Sequence, residues 1–196
     1  MDTYRQGKNE LLSTLKEWDK FMPGRTKIHL IACGGTALTL LGYKESTKDV
    51  DFIVPIEKEY DLLIQFLKDA GYKQESGSGW LYPGQKVIYD LYKGKQVFTT
   101  ELLSSPLEKG GNTKILELKK IYLGVLNSID WIITKMFRGS SVDREDCIAL
   151  VKHEAIDLSK LEKRFKETAS YDVSEDRVLK NLELILNDIK KIQRGK

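Results

Sequence analysis

The sequence predicts a mixed α/β protein (α/β, α+β) with an α/β unit over residues 1–126 and a helical part over 127–196. Three observations carry this. Short β-favouring runs ("KIHLIAC", "DVDFIV", "KVIYDLY") alternate with segments of helical spacing in the first part. From Asn127 onward every segment has helical spacing. The composition, 41% hydrophobic and 31% charged over 196 residues, suits a globular chain with a sizeable core.

The elements follow in order. "KNELLSTLKEWDKFM" places Leu11, Leu12, Leu15, Trp18 and Phe21 at helical intervals, and Pro23-Gly24 ends that helix. "KIHLIAC" reads as a strand, Gly34-Gly35 as a sharp turn, and "ALTLLG" as a short helix capped by Thr36 or a neighbour. "DVDFIV" is a second strand, closed by Pro55. "EKEYDLLIQFLKDAGY" is a helix stopped by Gly71. "SGSGWLYPGQ" reads as a loop, and "KVIYDLYKGKQVF" as a hairpin about its "KGK" turn. "ILELKKIYLGVL" is one strand or a pair. Four helices follow, in "SIDWIITKMFRG", "SVDREDCIALVKHEA" (with Ser141 or Asp143 near its cap), "DLSKLEKRFKETA" and "SEDRVLKNLELILNDIKKIQ".

Composition excludes some classes. No apolar run approaches 18 residues, so no membrane span is expected. "MDTYRQGKNELL" lacks a signal-peptide pattern, and cytoplasmic residence is the expectation. Cys33 and Cys147 have no second cysteine nearby, which argues for buried thiols rather than zinc. His29 and His153 form no ligand cluster. A net charge of +3 permits an anionic substrate without requiring one.

The chemistry concentrates between Cys33 and Val54. Residues i and i+2 of a strand share a face, so Asp49 and Asp51 point together while Val50 and Phe52 enter the core. Paired carboxylates repel unless a cation lies between them, and Mg²⁺ is the hard cation that carboxylates and phosphates share. Gly34-Gly35, between a strand and a helix, allows close backbone approach, and the helix N-terminus favours an anion. The Thr36 hydroxyl is placed to add a phosphate hydrogen bond. Asp90 interrupts a β-favouring run and stands equally as a third carboxylate or as a solvent-facing strand residue. Trp80 and Tyr82 are available either for base stacking or for packing over the sheet edge.

Gly34-Gly35-Thr36, a gap, then Asp49-Val50-Asp51 and an apolar strand resembles the signature of the DNA polymerase β-like nucleotidyltransferase superfamily. "DWIITKMFRGSSVDREDCIAL" resembles the helical part of AbiEii-like and MenT-like members, many of them toxins of toxin–antitoxin systems. The resemblance covers roughly residues 28 to 152. It implies a small mixed sheet flanked by helices, with the helical half forming the other wall of a nucleotide cleft. It implies transfer of a nucleoside monophosphate from an NTP to an acceptor hydroxyl on RNA, a tRNA or a protein, with two Mg²⁺ ions (Mn²⁺ as the substitute). Asp49, Asp51 and Asp90 would be the metal-binding and catalytic carboxylates. Gly34, Gly35 and Thr36 would hold phosphates, and Lys135, Arg138, Asp143, Arg144 and Asp146 would line the cleft. A cognate antitoxin would be a partner. Two further readings stay open: a non-catalytic nucleotide-binding or antitoxin-like protein of the same fold, and an antibiotic-modifying adenylyltransferase. For Lys135 and Arg138, three apart on one helix face, a solvated stripe is the competing expectation. For the "DRED" acids it is favourable charge in a first helical turn.

Overall fold

The computed structural model describes residues 4–195. In chain order the strands are β1 (Gln6–Gly7), β2 (Ile28–Ala32), β3 (Ser46–Thr47), β4 (Val50–Val54), β5 (Lys73–Gln74), β6 (Gly79–Leu81), β7 (Ile88–Lys93), β8 (Gln96–Val97), β9 (Thr100–Glu101), β10 (Asn112–Glu117) and β11 (Ile121–Leu126). The helices are α1 (Lys8–Phe21), α2 (Gly34–Leu41), α3 (Glu57–Asp69), α4 (Ser128–Arg138), α5 (Ser141–His153), α6 (Leu158–Ala169) and α7 (Glu175–Arg194). Helices therefore flank a mixed sheet, and the chain after β11 is helical, as predicted.

The main sheet has seven strands in the order β10-β11-β2-β4-β7-β6-β5. β11 pairs with β2, and β4 with β7, in parallel; the other pairs are antiparallel. Its central strands are covered on both faces, which is why β4 is buried along its whole length. α1 packs Leu11, Leu15 and Trp18 inward, each burial contributing about 1.5–3 kcal/mol. Buried apolar residues of the sheet and of α4–α7 form one continuous cluster. α4 is tied to α2 by the Trp131 indole N–H, which donates to the Gly34 carbonyl at 3.0 Å.

Four local expectations need correction. Gly34-Gly35 is not a free turn: both residues belong to the first turn of α2, whose N-cap is Cys33 rather than Thr36. The Gly-Ser segment is not all loop, because Gly79–Leu81 pairs with β7 and buries Trp80. A strand hidden among glycines has no alternation to reveal it. The hairpin about "KGK" does not form; β7 lies between β4 and β6, and β8 pairs instead with β9. β7 has two buried neighbours to satisfy its ladder, which outweighs a short local turn. The cap of α5 is Ser140 rather than Ser141, in a reciprocal capping box with Asp143.

Both cysteines are buried and free. Burial pushes each thiol pKa well up, so neither is a ready nucleophile. His29 is held by Glu59, whose carboxylate accepts from the His29 backbone N–H at 2.8 Å and lies 3.0 Å from Nδ1. His153 stacks on Tyr43 with ring centroids 4.3 Å apart. No described helix is long and apolar enough to cross a membrane.

Candidate functional site: an acidic wall facing a basic wall

The sheet supplies the acids. In the parallel register of β4 and β7, Asp51 sits directly beside Asp90. Paired residues of adjacent strands share a face, so both carboxylates project to the same side. Tyr89, the neighbour of Asp90, turns to the opposite face and packs 5.1 Å from Trp18. Asp49 lies one residue before β4 and lines the same cleft as Asp51 and Asp90. The sequence-level choice for Asp90 is thereby decided: it faces the cleft, where its carboxylate accepts from the Ser78 hydroxyl at 2.8 Å.

Asp51 is 6% exposed. Burial first, then the charge of Asp90 and, less strongly, of Asp49, push its pKa up to about 7, although Lys135 and Arg138 pull it down. Burial and the charge of Asp49 also raise Asp90, although the Ser78 hydrogen bond opposes the shift. None of the contacts described for Asp51 is a hydrogen bond to its carboxylate. A buried carboxylate beside two others, with no donor of its own, has the chemistry of a cation ligand. Among the described residues, however, no group of three or more His, Cys, Asp or Glu converges into a ready-made metal site. The residues thus fit a cation that takes one or two carboxylates and completes its shell elsewhere, as Mg²⁺ does with phosphate and water.

The glycines serve this arrangement in an unexpected way. A Cβ on Gly34 would lie 2.2 Å from Asp51 Oδ2, and the backbone there has φ +52°. A Cβ on Gly35 would lie 2.6 Å from Thr47 Oγ1. The glycine pair makes room first for the protein's own side chains, and only beyond that does the first turn of α2 open on the cleft. Thr36 differs from expectation more sharply. It is fully buried; its hydroxyl accepts from the Asp51 backbone N–H at 2.9 Å and donates to the Asp49 carbonyl at 3.3 Å. It positions the acidic strand and has no hydroxyl left for a phosphate. Gly34→Ala is expected to cost about 2–4 kcal/mol, read as a fall in the urea midpoint. A loss under about 0.5 kcal/mol would contradict the close approach.

Helix α4 supplies cations, and α5 supplies the acids that anchor them. Lys135 is 5% exposed, not a solvated stripe. Its Nζ lies 2.7 Å from Asp146 and 3.3 Å from Asp143, over the ring of Trp131. Burial pulls its pKa down, but Asp146 and Asp143 outweigh this and hold it raised, so the ammonium stays charged. Arg138 is bound through both Nε and Nη2 to Asp143. Asp143 is fully buried and does not line the cleft. Burial raises its pKa, yet the hydrogen bonds of Arg138 and Ser140 and the charge of Lys135 hold it well below the usual range. Asp146 does reach the cleft, and joins Lys135 to Lys44, whose Nζ is 2.8 Å away. Arg144 points elsewhere, to Asp188 of α7 at 2.6 Å. Asp143 and Asp146 are therefore anchors for cations, and Arg144 is a brace between helices.

The resulting cleft is about 280 Å³. It brings together Gly34, Gly35, Asp49, Asp51, Asp90, Lys135, Arg138 and Asp146, and leaves out Thr36 and Asp143. Lys44, Lys48 and Phe98 line it too. They escape the sequence reading, although "GYKESTK" signals basic residues between the glycines and the aspartates. Phe98 carries no sequence signal. Trp80 and Tyr82 belong elsewhere: Trp80 is buried, and Tyr82 packs edge-on against Tyr72 at 5.3 Å.

Residues 113–194 match the family described as "Nucleotidyltransferase of unknown function (DUF6036)". This stretch runs from β10 through α7 and contains Lys135, Arg138, Asp143 and Asp146, but not the acidic wall. A solved structure described as a "putative nucleotidyltransferase from H. pylori" aligns over 95% of this chain and 94% of its own, with 17% identity and a TM-score of 0.46. No curated protein matches the chain. Over residues 113–194 the chain is similar to a nucleotidyltransferase family whose function is unknown.

Proposed function

We propose that the chain is a Mg²⁺-dependent nucleotidyltransferase that moves a nucleoside monophosphate from an NTP to a hydroxyl of an RNA, a tRNA or a protein. One observation carries the reading: the Asp51–Asp90 pair opens on the same cleft as Lys44 and Lys135. A wall of acids opposite a wall of cations suits a polyanion that arrives with its own divalent ion. Asp51 and Asp90 would hold the metal, with the Asp49 carboxylate adding its charge in the same cleft; when bound, the metal supplies charge neutralisation of the transferring phosphoryl group.

The chain's own part is positioning. Lys135 and Lys44 offer positive charge to the phosphates, and Asp146 keeps both ammonium groups in place. The first turn of α2 turns N–H groups without helical partners toward the same anion. Asp90, the less buried of the strand pair, is suited to accept the proton of the acceptor hydroxyl. The toxin role, and a cognate antitoxin as partner, rest on the AbiEii/MenT resemblance alone.

A second reading, nucleotide binding without transfer, draws on the absence of a ready-made three-ligand metal site among the described residues. Incubation with labelled NTPs, Mg²⁺ and total RNA or cell extract separates the two. Label is expected to transfer with wild type and to fall by 10²-fold or more in Asp49→Ala/Asp51→Ala, roughly the loss of one strong transition-state interaction. Binding without transfer would favour the second reading. Transfer that survives the double change would remove the proposed metal site.

A further inference from the structure

We propose that Phe98 is the stacking platform for the aromatic base of the nucleotide, and so sets which end of the cleft receives the nucleoside. The inference rests on the reading of the cleft as an NTP site. Phe98 and Thr99 form the two-residue turn between β8 and β9. Phe98 has φ +52°, the one non-glycine residue with positive φ among those described. A two-residue hairpin with positive φ at its first position prefers glycine there. A bulky aromatic at that position costs backbone energy that glycine would avoid, and such strain concentrates at functional sites.

The ring is where the strain has a return. It lines the cleft and is 39% exposed, although it is a large apolar group. It is the one aromatic residue among the described lining of that cleft. The Arg138 guanidinium lies over it, 4.6 Å from the centroid, and Tyr92 supports it with centroids 5.0 Å apart. Arg138 is itself fixed by Asp143, so the ring is held by a clamped cation and a buried aromatic. With phosphates drawn to Lys44 and Lys135, the base needs a π surface elsewhere in the cleft, and Phe98 provides it. Stacking on one ring face recognises any base, so the contact is expected to be tolerant of base identity.

Calorimetric titration with each of the four Mg²⁺–NTPs and with Mg²⁺–tripolyphosphate, which has phosphates but no base, tests this. Phe98→Ala is expected to weaken the NTPs by about ten-fold or more and to leave tripolyphosphate unchanged. Phe98→Trp is expected to retain NTP affinity. Phe98→Gly is expected to keep or raise the melting temperature while losing NTP affinity, which separates the ring's role from folding. The inference is overturned if Phe98→Ala binds NTPs like wild type, or loses NTP and tripolyphosphate equally. If wild type binds neither ligand, the NTP reading of the cleft fails and this inference fails with it. If wild type binds both and only the Phe98 result disagrees, the stacking role alone is lost.

Discussion

Asp51→Asn is expected to raise the melting temperature at pH 8 while abolishing Mg²⁺-dependent nucleotide binding. Asp51 has its pKa pushed up to about 7 by burial first and by Asp90 and Asp49 next. In the unfolded chain an aspartate titrates near the ordinary value of about 4. Below that value the group is neutral in both states and costs nothing. Between about pH 4 and pH 7 the folded protein holds a proton that the unfolded chain has released. Stability therefore falls as pH rises through this window, and above it the penalty is complete. The penalty is on the order of a few kcal/mol, and asparagine removes it. For a chain of this length that corresponds to a rise of roughly 5 °C or more. Melting curves from pH 4 to pH 8 on wild type and Asp51→Asn check this. Equal slopes in the two proteins would show that the Asp51 carboxylate is not under electrostatic strain. The trade is physical: charge crowding that destabilises the free protein is what a divalent ion relieves.

Asp143→Ala is expected to destabilise the protein by about 3–5 kcal/mol, more than any cleft carboxylate. Asp143 is fully buried and binds Arg138 and Ser140 while lying 3.3 Å from Lys135. Removing it leaves a buried ammonium with one partner fewer, a guanidinium without its anchor and an α5 cap without its reciprocal bond. Its pKa is depressed in the folded state, so its contribution is present at neutral pH and is lost as pH falls below the ordinary carboxylate range. Urea denaturation at pH 7 gives the loss directly. A loss below about 1 kcal/mol would mean that Arg138 and Lys135 are not held as the geometry states. Asp143 thus acts on the cleft through the cations it fixes, without reaching it.

The fold was largely legible because its signals are local. Leu11, Leu15 and Trp18 recur at helical spacing and are the buried face of α1. Gly139 ends α4 in the left-handed conformation that glycine favours. The misread parts depend on neighbours far along the chain. Gly79–Leu81 becomes a strand because β7 offers it a ladder, and β8 leaves β7 for β9 because both edges of β7 are already occupied.

The same division runs through the site. The spacing of Gly34-Gly35 and Asp49-Val50-Asp51 was sufficient to bring attention to one strand end, since side-chain alternation and glycine's backbone freedom are properties of the chain itself. Only the tertiary structure decided that Asp90 is the register partner of Asp51, that Gly34 yields space to that carboxylate, and that the Thr36 hydroxyl is consumed by the backbone between the two aspartates. It also decided that Asp143 anchors rather than lines, and that Phe98 reaches the cleft. The reason is that much of the charge and shape of the cleft depends on residues far apart in the chain, such as Lys44 and Asp146, 102 positions apart, and Gly34 and Trp131, 97 apart, and no local pattern encodes those distances.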